Sequence, residues 1–221
     1  MKKFSIYILY VLVAVFAAGL SSCSETDNET EEYPDWKNAN DQYFSKKYTE
    51  VKSLVDGGST EWKILRSWSL TETTATHSYD HVLVNVMENG TGSGCPLYTD
   101  SVEVHYQGRL IPSVSYPDGY VFDKSWKGDF NEATAVPSKF AVKGVVVGFS
   151  TALQYMHIGD KWRVYIPYQL GYGSLSTPGA AYSTLIFDVE LVAYYRANSA
   201  TTRQASESGN WGEPKGQWIY Q

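Results

Sequence analysis

Between Val145 and Gly173 the chain reads VVVGFSTALQYMHIGDKWRVYIPYQLGYG, and no other stretch limits the fold as tightly. Phe149, Ala152, Leu153 and Met156 fall at i, i+3, i+4 and i+7, one face of a 3.6-residue period. Gly148 precedes that face and Gly159 follows it, where helices start and stop. A helix of about ten residues cannot hold itself in water and needs a packing surface. The next residues supply one. Trp162, Val164 and Ile166 alternate with Lys161, Arg163 and Tyr165, the period-two pattern of a half-buried strand. The expected architecture is therefore α+β: one short helix covered by an antiparallel sheet.

The rest of the C-terminal half agrees. Val82, Val84 and Val86 alternate, as do Val102, Val104 and Tyr106, and Leu185, Phe187, Val189 and Leu191. Shorter strands are expected over 120–123 and 139–142. Upstream, 34–55 reads as a helix stopped by Asp56-Gly57-Gly58, and Trp62, Ile64, Trp68 and Leu70 alternate as a strand. Residues 33–78 are thus expected to form an N-terminal extension that packs on the main domain or serves as an interaction arm. The polar stretch 197–221 reads as a disordered tail, with Trp211, Trp218 and Tyr220 able to dock.

The first 22 residues stand apart. Lys2 and Lys3 precede an apolar run over 4–20, small residues follow, and then Cys23, which is the layout of a secretory signal. Leu20-Ser21-Ser22-Cys23 resembles a bacterial lipobox, with Ser22 where Gly or Ala is commoner. The resemblance implies a lipid on Cys23 and a place in the cell envelope, lipid-anchored, on the periplasmic or surface face of an outer membrane. A plain cleaved signal or a membrane span are the alternatives, and Ser5, Tyr7 and Tyr10 interrupt the run against a span. Residues 23–32 carry a string of acids and nothing apolar, a tether that can reach at most about 30 Å. Cys95 is then the one remaining thiol, set in a turn with no base nearby in sequence, and reads as inert.

Several chemistries are excluded. The net charge of −6 argues against nucleic acid. His77, His81, His105 and His157 are scattered, no HExxH or CxxC is present, and neither a metal site nor a cofactor is expected. There is no GxSxG elbow. The glycines over 90–94 lack both GxGxxG spacing and a P-loop lysine. What is left is a set of aromatic and aliphatic residues with one acid. By residue type alone, Tyr106, Phe122, Val145 and Phe187 suit a core as well as a pocket, and Asp123 suits a turn cap.

Six segments in order decide between these: VHYQG (104–108), GYVFDKS (119–125), GVVVGF (144–149), MHIG (156–159), IPYQLGYG (166–173) and TLIFDVEL (184–191). Together they resemble the FKBP-type peptidyl-prolyl cis-trans isomerases over about 79–196. The resemblance implies a curved antiparallel sheet wrapped on one short helix, and an isomerase acting on proline-containing polypeptides. It implies a catalytic set of Tyr106, Phe122, Asp123 and Tyr172, with Val145, Val146, Phe149 and Phe187 binding substrate. In it Phe149, where the family usually has Trp, is the pocket floor. The Val146 N–H and the Tyr172 hydroxyl hold substrate carbonyls. The chain also departs from the family. Ser138 stands where a pocket aromatic is usual and Thr177 replaces a common His. The 179–183 loop is short, and the 112–119 loop is long. These changes keep open a second function, an FKBP fold that binds clients without useful turnover.

Overall fold

The computed structural model describes residues 34–176, 181–197 and 216–220, and the expectations for 1–32, Cys23 among them, lie outside those residues. Residues 32–221 group as one compact unit. Its elements are helix α1 (Trp36–Asp56), strands β1 (Trp62–Arg66), β2 (His81–Glu88), β3 (Ser101–Arg109), β4 (Val121–Lys124) and β5 (Ser138–Ala141), helix α2 (Val147–Leu153), and strands β6 (Lys161–Ile166), β7 (Leu185–Ala197) and β8 (Gly216–Ile219). All pairings are antiparallel. The sheet runs β1-β2-β6-β7-β3-β4, with β5 on β3 and β8 on β7.

The alternation read from sequence places the core. Trp162, Val164 and Ile166 of β6 join Val82, Val84, Val104, Phe187, Val189 and Leu191 on one face, and α2 lies against it through Phe149, Ala152 and Leu153. The helix has seven residues, shorter than expected, yet its apolar face continues past the end through the buried Met156 and Ile158. Gly148 is what brings it so near the sheet. A Cβ there would stand 2.3 Å from Ile166 Cγ2 and 3.1 Å from Val82 Cγ1.

The other face overturns the half-buried reading of β6. By alternation Tyr165 falls with the solvent-facing residues, but it packs with Leu83, Ile111 and Ile186 beneath Phe44 and Val51 of α1. A long amphipathic helix must bury its stripe somewhere, and this surface is what it finds. Two arginines of that face share one acid. Asp188 of β7 takes Arg163 Nε at 2.6 Å and Arg163 Nη2 at 3.0 Å, and also pairs with Arg109 Nη2. Across the exposed side of α1, Lys37–Asp41 and Lys52–Asp56 pair one turn apart.

Two further expectations are corrected. The strand read over Trp62–Leu70 stops at Arg66. There the Ser67 amide turns to the Asp80 carbonyl, and Trp68 packs on the Tyr98 ring with centroids 4.3 Å apart. In the tail, residues 198–215 lie outside the described residues, and 216–219 are a strand rather than disordered, because β8 pairs Ile219 with Tyr194 and Trp218 with Tyr195. The cause lies in β7. Strand β6 reaches no further than Glu190, so the last residues of β7 present an open edge on that side. Another strand can complete it. Lys139 Nζ caps the added strand 4.8 Å over the Trp218 ring.

Candidate functional site

Where α2 begins, the sheet and helix leave a cavity of about 220 Å³. Its lining contains all eight residues singled out above: Tyr106, Phe122, Asp123, Val145, Val146, Phe149, Tyr172 and Phe187, together with Phe140 and Gly144. Strand parity brings them together. Tyr106 on β3 and Phe187 on β7 point to the α2 side because their neighbours at i ± 2 do so. Phe122 and Asp123 come from β4, which pairs with the end of β3. Val145 and Val146 form the extended approach to α2, Phe149 is one turn into it, and Tyr172 follows the short 3-10 turn Tyr168–Leu170.

Phe149 forms the floor. It is 3% exposed, and its ring centroid lies 4.9 Å from that of Phe187 and 6.3 Å from that of Tyr106. Phe122 meets Phe187 edge to face at 5.6 Å. That contact requires Gly108. A Cβ at this position would lie 2.6 Å from both Phe122 Cζ and Phe187 Cε1. The wall that Ser138 was expected to leave thin is occupied. Phe140, two residues on and on the same side of β5, stands edge to face with Tyr106 at 5.5 Å. Sequence reading missed Phe140. The signal was the alternation of β5 itself, which makes 138 and 140 neighbours on one face. Thr177 lies outside the described residues.

The polar groups of the site are few. Tyr106 donates its hydroxyl to Asp123 Oδ2 at 2.6 Å. Its backbone is clamped by Ser125, whose Oγ accepts from the Tyr106 amide at 3.1 Å and whose amide donates to the Tyr106 carbonyl at 3.0 Å. Burial, and then the bond to Asp123 and its charge, raise the Tyr106 phenol pKa well above its ordinary value. Burial raises that of Tyr172 also, with the Asp123 charge adding to it. Both hydroxyls therefore stay protonated at neutral pH and act as donors. Among the described residues, the Tyr172 hydroxyl and the Val146 amide have no hydrogen-bond partner, while the Val146 carbonyl starts α2 by accepting from Ser150 at 2.9 Å. No His or Cys lines the cavity. Among the described residues no group of three or more His, Cys, Asp or Glu is arranged to hold a metal.

One reading changes outside the cavity. Cys95 has a base beside it after all, since His157 Nε2 lies 3.7 Å from its sulfur. The two are far apart in sequence, which hid the pair. Burial and the nearby Asp160 nevertheless raise the Cys95 thiol pKa, so the inert reading keeps its physical basis.

Comparison with known proteins adds relatives. The family described as FKBP-type peptidyl-prolyl cis-trans isomerase matches residues 95–192. The macrophage infectivity potentiator of Trypanosoma cruzi is 42% identical over 106 residues, covering 47% of this chain and 48% of that protein. The FKBP-type 22 kDa peptidyl-prolyl cis-trans isomerase of Escherichia coli K12 is 40% identical over 109 residues, 48% of this chain and 47% of that one. The outer membrane protein MIP of Legionella longbeachae is 36% identical over 114 residues, 51% and 43% respectively. The chain thus spans about half the length or less of the curated relatives it matches.

Proposed function

We propose that the chain catalyses rotation about prolyl bonds of exported polypeptides in the cavity at the start of α2, a reading supported by the match of residues 95–192 to the FKBP-type peptidyl-prolyl cis-trans isomerase family. A prolyl amide isomerises over a barrier of roughly 20 kcal/mol because it loses resonance when twisted. The twisted amide is less polar across C–N than the planar one, so an aromatic, water-poor surface favours it relative to the ground state. In this reading the proline ring sits on Phe149, between Phe122, Tyr106 and Phe187. The Val146 N–H and the Tyr172 hydroxyl hold carbonyls of the substrate chain. Asp123 fixes the Tyr106 hydroxyl and with it the ring that forms the wall. No nucleophile or proton transfer is required.

The observation that carries this reading is the combination of an aromatic cavity with two donors, Val146 N–H and Tyr172 O–H, that have no partner among the described residues. Phe140 in the wall removes one of the grounds for a purely binding role, the missing aromatic at 138, and leaves the short 179–183 loop as the other. A proline-limited refolding assay on the full chain in mild detergent tests the proposal. Acceleration over the uncatalysed rate is expected. A folded chain that gives none overturns it.

The same reading places the protein in the cell envelope. Residues 1–22 act as a lipoprotein signal, Cys23 carries the lipid, 23–32 form a tether, and 33–78 extend the isomerase domain over 79–196. The lipobox resemblance supports this, as does the name of the Legionella longbeachae relative, an outer membrane protein. Fatty-acid labelling that persists in a Cys23→Ala variant would rule the anchor out.

A further inference from the structure

Helix α1 is absent from the matched family region, yet its first turns reach the loop that carries Tyr172. Asn40 is fully buried. Its Oδ1 accepts from the Thr184 amide at 2.7 Å and its Nδ2 donates to the Trp36 carbonyl at 2.8 Å. Trp36 Nε1 donates to Ser183 Oγ at 2.9 Å. One residue earlier, the Tyr182 amide donates to the Gly173 carbonyl at 2.8 Å, and the Gly173 amide to the Tyr168 carbonyl at 2.9 Å. Tyr182 holds a left-handed backbone at φ 58° while its ring stands edge to face with Tyr168 at 5.3 Å. Lys37 Nζ lies 5.4 Å and 5.8 Å from those two rings. A chain of bonds therefore runs from α1 through 182–184 to Gly173, next to Tyr172.

Tyr172 needs that support. Its hydroxyl has no partner among the described residues, so only its backbone and packing set where the donor points. A left-handed backbone at a tyrosine is costly and persists only where surrounding contacts hold it. A fully buried amide side chain is likewise retained only where both its ends are bonded. Both features sit at the junction of α1 with the Tyr172 loop.

We propose that Trp36 and Asn40 are positioning residues that set the Tyr172 hydroxyl for the substrate carbonyl, so that the N-terminal helix is a working part of the isomerase site. The proposal rests on the isomerase reading, and its test separates the two. The full chain in mild detergent is prepared as wild type, Trp36→Phe, Asn40→Ala, Tyr172→Phe and both double variants. Turnover of a prolyl peptide is measured together with the 13C ring signals of labelled tyrosine, Tyr172 being assigned by its disappearance in Tyr172→Phe. Trp36→Phe, which removes one N–H and keeps an aromatic, should lower kcat/KM about threefold, and Asn40→Ala about tenfold. In the Tyr172→Phe background the same changes should cost less than about twofold, because no hydroxyl remains to be placed. The Tyr172 ring signal should shift or broaden in both single variants while that of Tyr106 stays. Equal losses in both backgrounds would reduce the contacts to general structure and overturn the proposal. An unmoved Tyr172 signal would overturn it even if the chain turned over no peptide. If Asn40→Ala fails to fold, Trp36→Phe carries the same two readings.

Discussion

The two faces of this sheet use polar groups in opposite ways. Under α1, Asp188 holds Arg109 and Arg163 on neighbouring strands and the Asn40 side chain closes on the Thr184 amide and the Trp36 carbonyl, while Arg109 Nε and Thr184 Oγ1 are buried with no partner among the described residues. On the α2 side the aromatic rings pack against one another. There the Tyr172 hydroxyl and the Val146 amide have no partner among the described residues. Val146 and Tyr172 are both half-buried and line the cavity, so a carbonyl arriving there can meet these two donors. The contrast teaches that the α1 face holds the sheet together, and it is the α2 face that the proposed function assigns to an incoming peptide.

The largest break in that contrast comes at the floor. Phe149→Ala removes a ring that is 3% exposed and should lower stability by about 3–5 kcal/mol, with loss of isomerase activity. Denaturant unfolding checks the first and a prolyl-peptide assay the second. Gly108→Ala comes next. Its Cβ would press on Phe122 and Phe187 from 2.6 Å, which should cost about 1–3 kcal/mol and open the wall. Thermal unfolding read beside turnover would show both falling together, and a variant as stable and active as wild type would break the account of the wall.

A smaller effect separates the faces by pH. Burial raises Tyr43 of α1 from 10.0 to about 12. Since the folded pKa lies above the unfolded one, the stability it contributes is complete below about pH 10 and is lost as pH rises through about 12. A Tyr43→Phe variant should show a shallower alkaline decline in a series of unfolding curves. Over pH 6–9 the isomerase rate should be flat, because Tyr106 and Tyr172 are both held protonated by upward shifts. A bell-shaped profile would instead mean that acid–base chemistry operates in the cavity.

How much of this could be read from sequence follows from what each feature depends on. The α2 face was legible because burial on one side imposes period two on strands and 3.6 on the helix, and the eight cavity residues sit in segments with that order. The α1 face was not. Tyr165 and Ile186 look solvent-facing by alternation until a second layer covers them, and sequence period cannot tell a covered face from a wet one when Arg163 and Asp188 share it. Phe140 was passed over for Ser138 because the family motif drew attention to a position instead of to the face it shares. Strand β8 was hidden in a polar tail, because what holds it is an open edge left by β6, and that edge exists only in three dimensions. The Cys95–His157 pair and the α1 clamp on 182–184 likewise depend on contacts between distant segments.

The contrast between the faces reduces to one measurement. Exchange NMR on a prolyl peptide gives its isomerisation rate in the presence of the full chain, of Phe122→Ala and of Asp188→Asn. The account predicts clear acceleration by the wild type and acceleration within about twofold of it by Asp188→Asn, which alters the holding face alone. Phe122→Ala should lose about 10–100-fold, since it removes a wall from the receiving face. A folded Phe122→Ala chain that accelerates isomerisation as well as the wild type would contradict the claim that this cavity is where the prolyl bond turns.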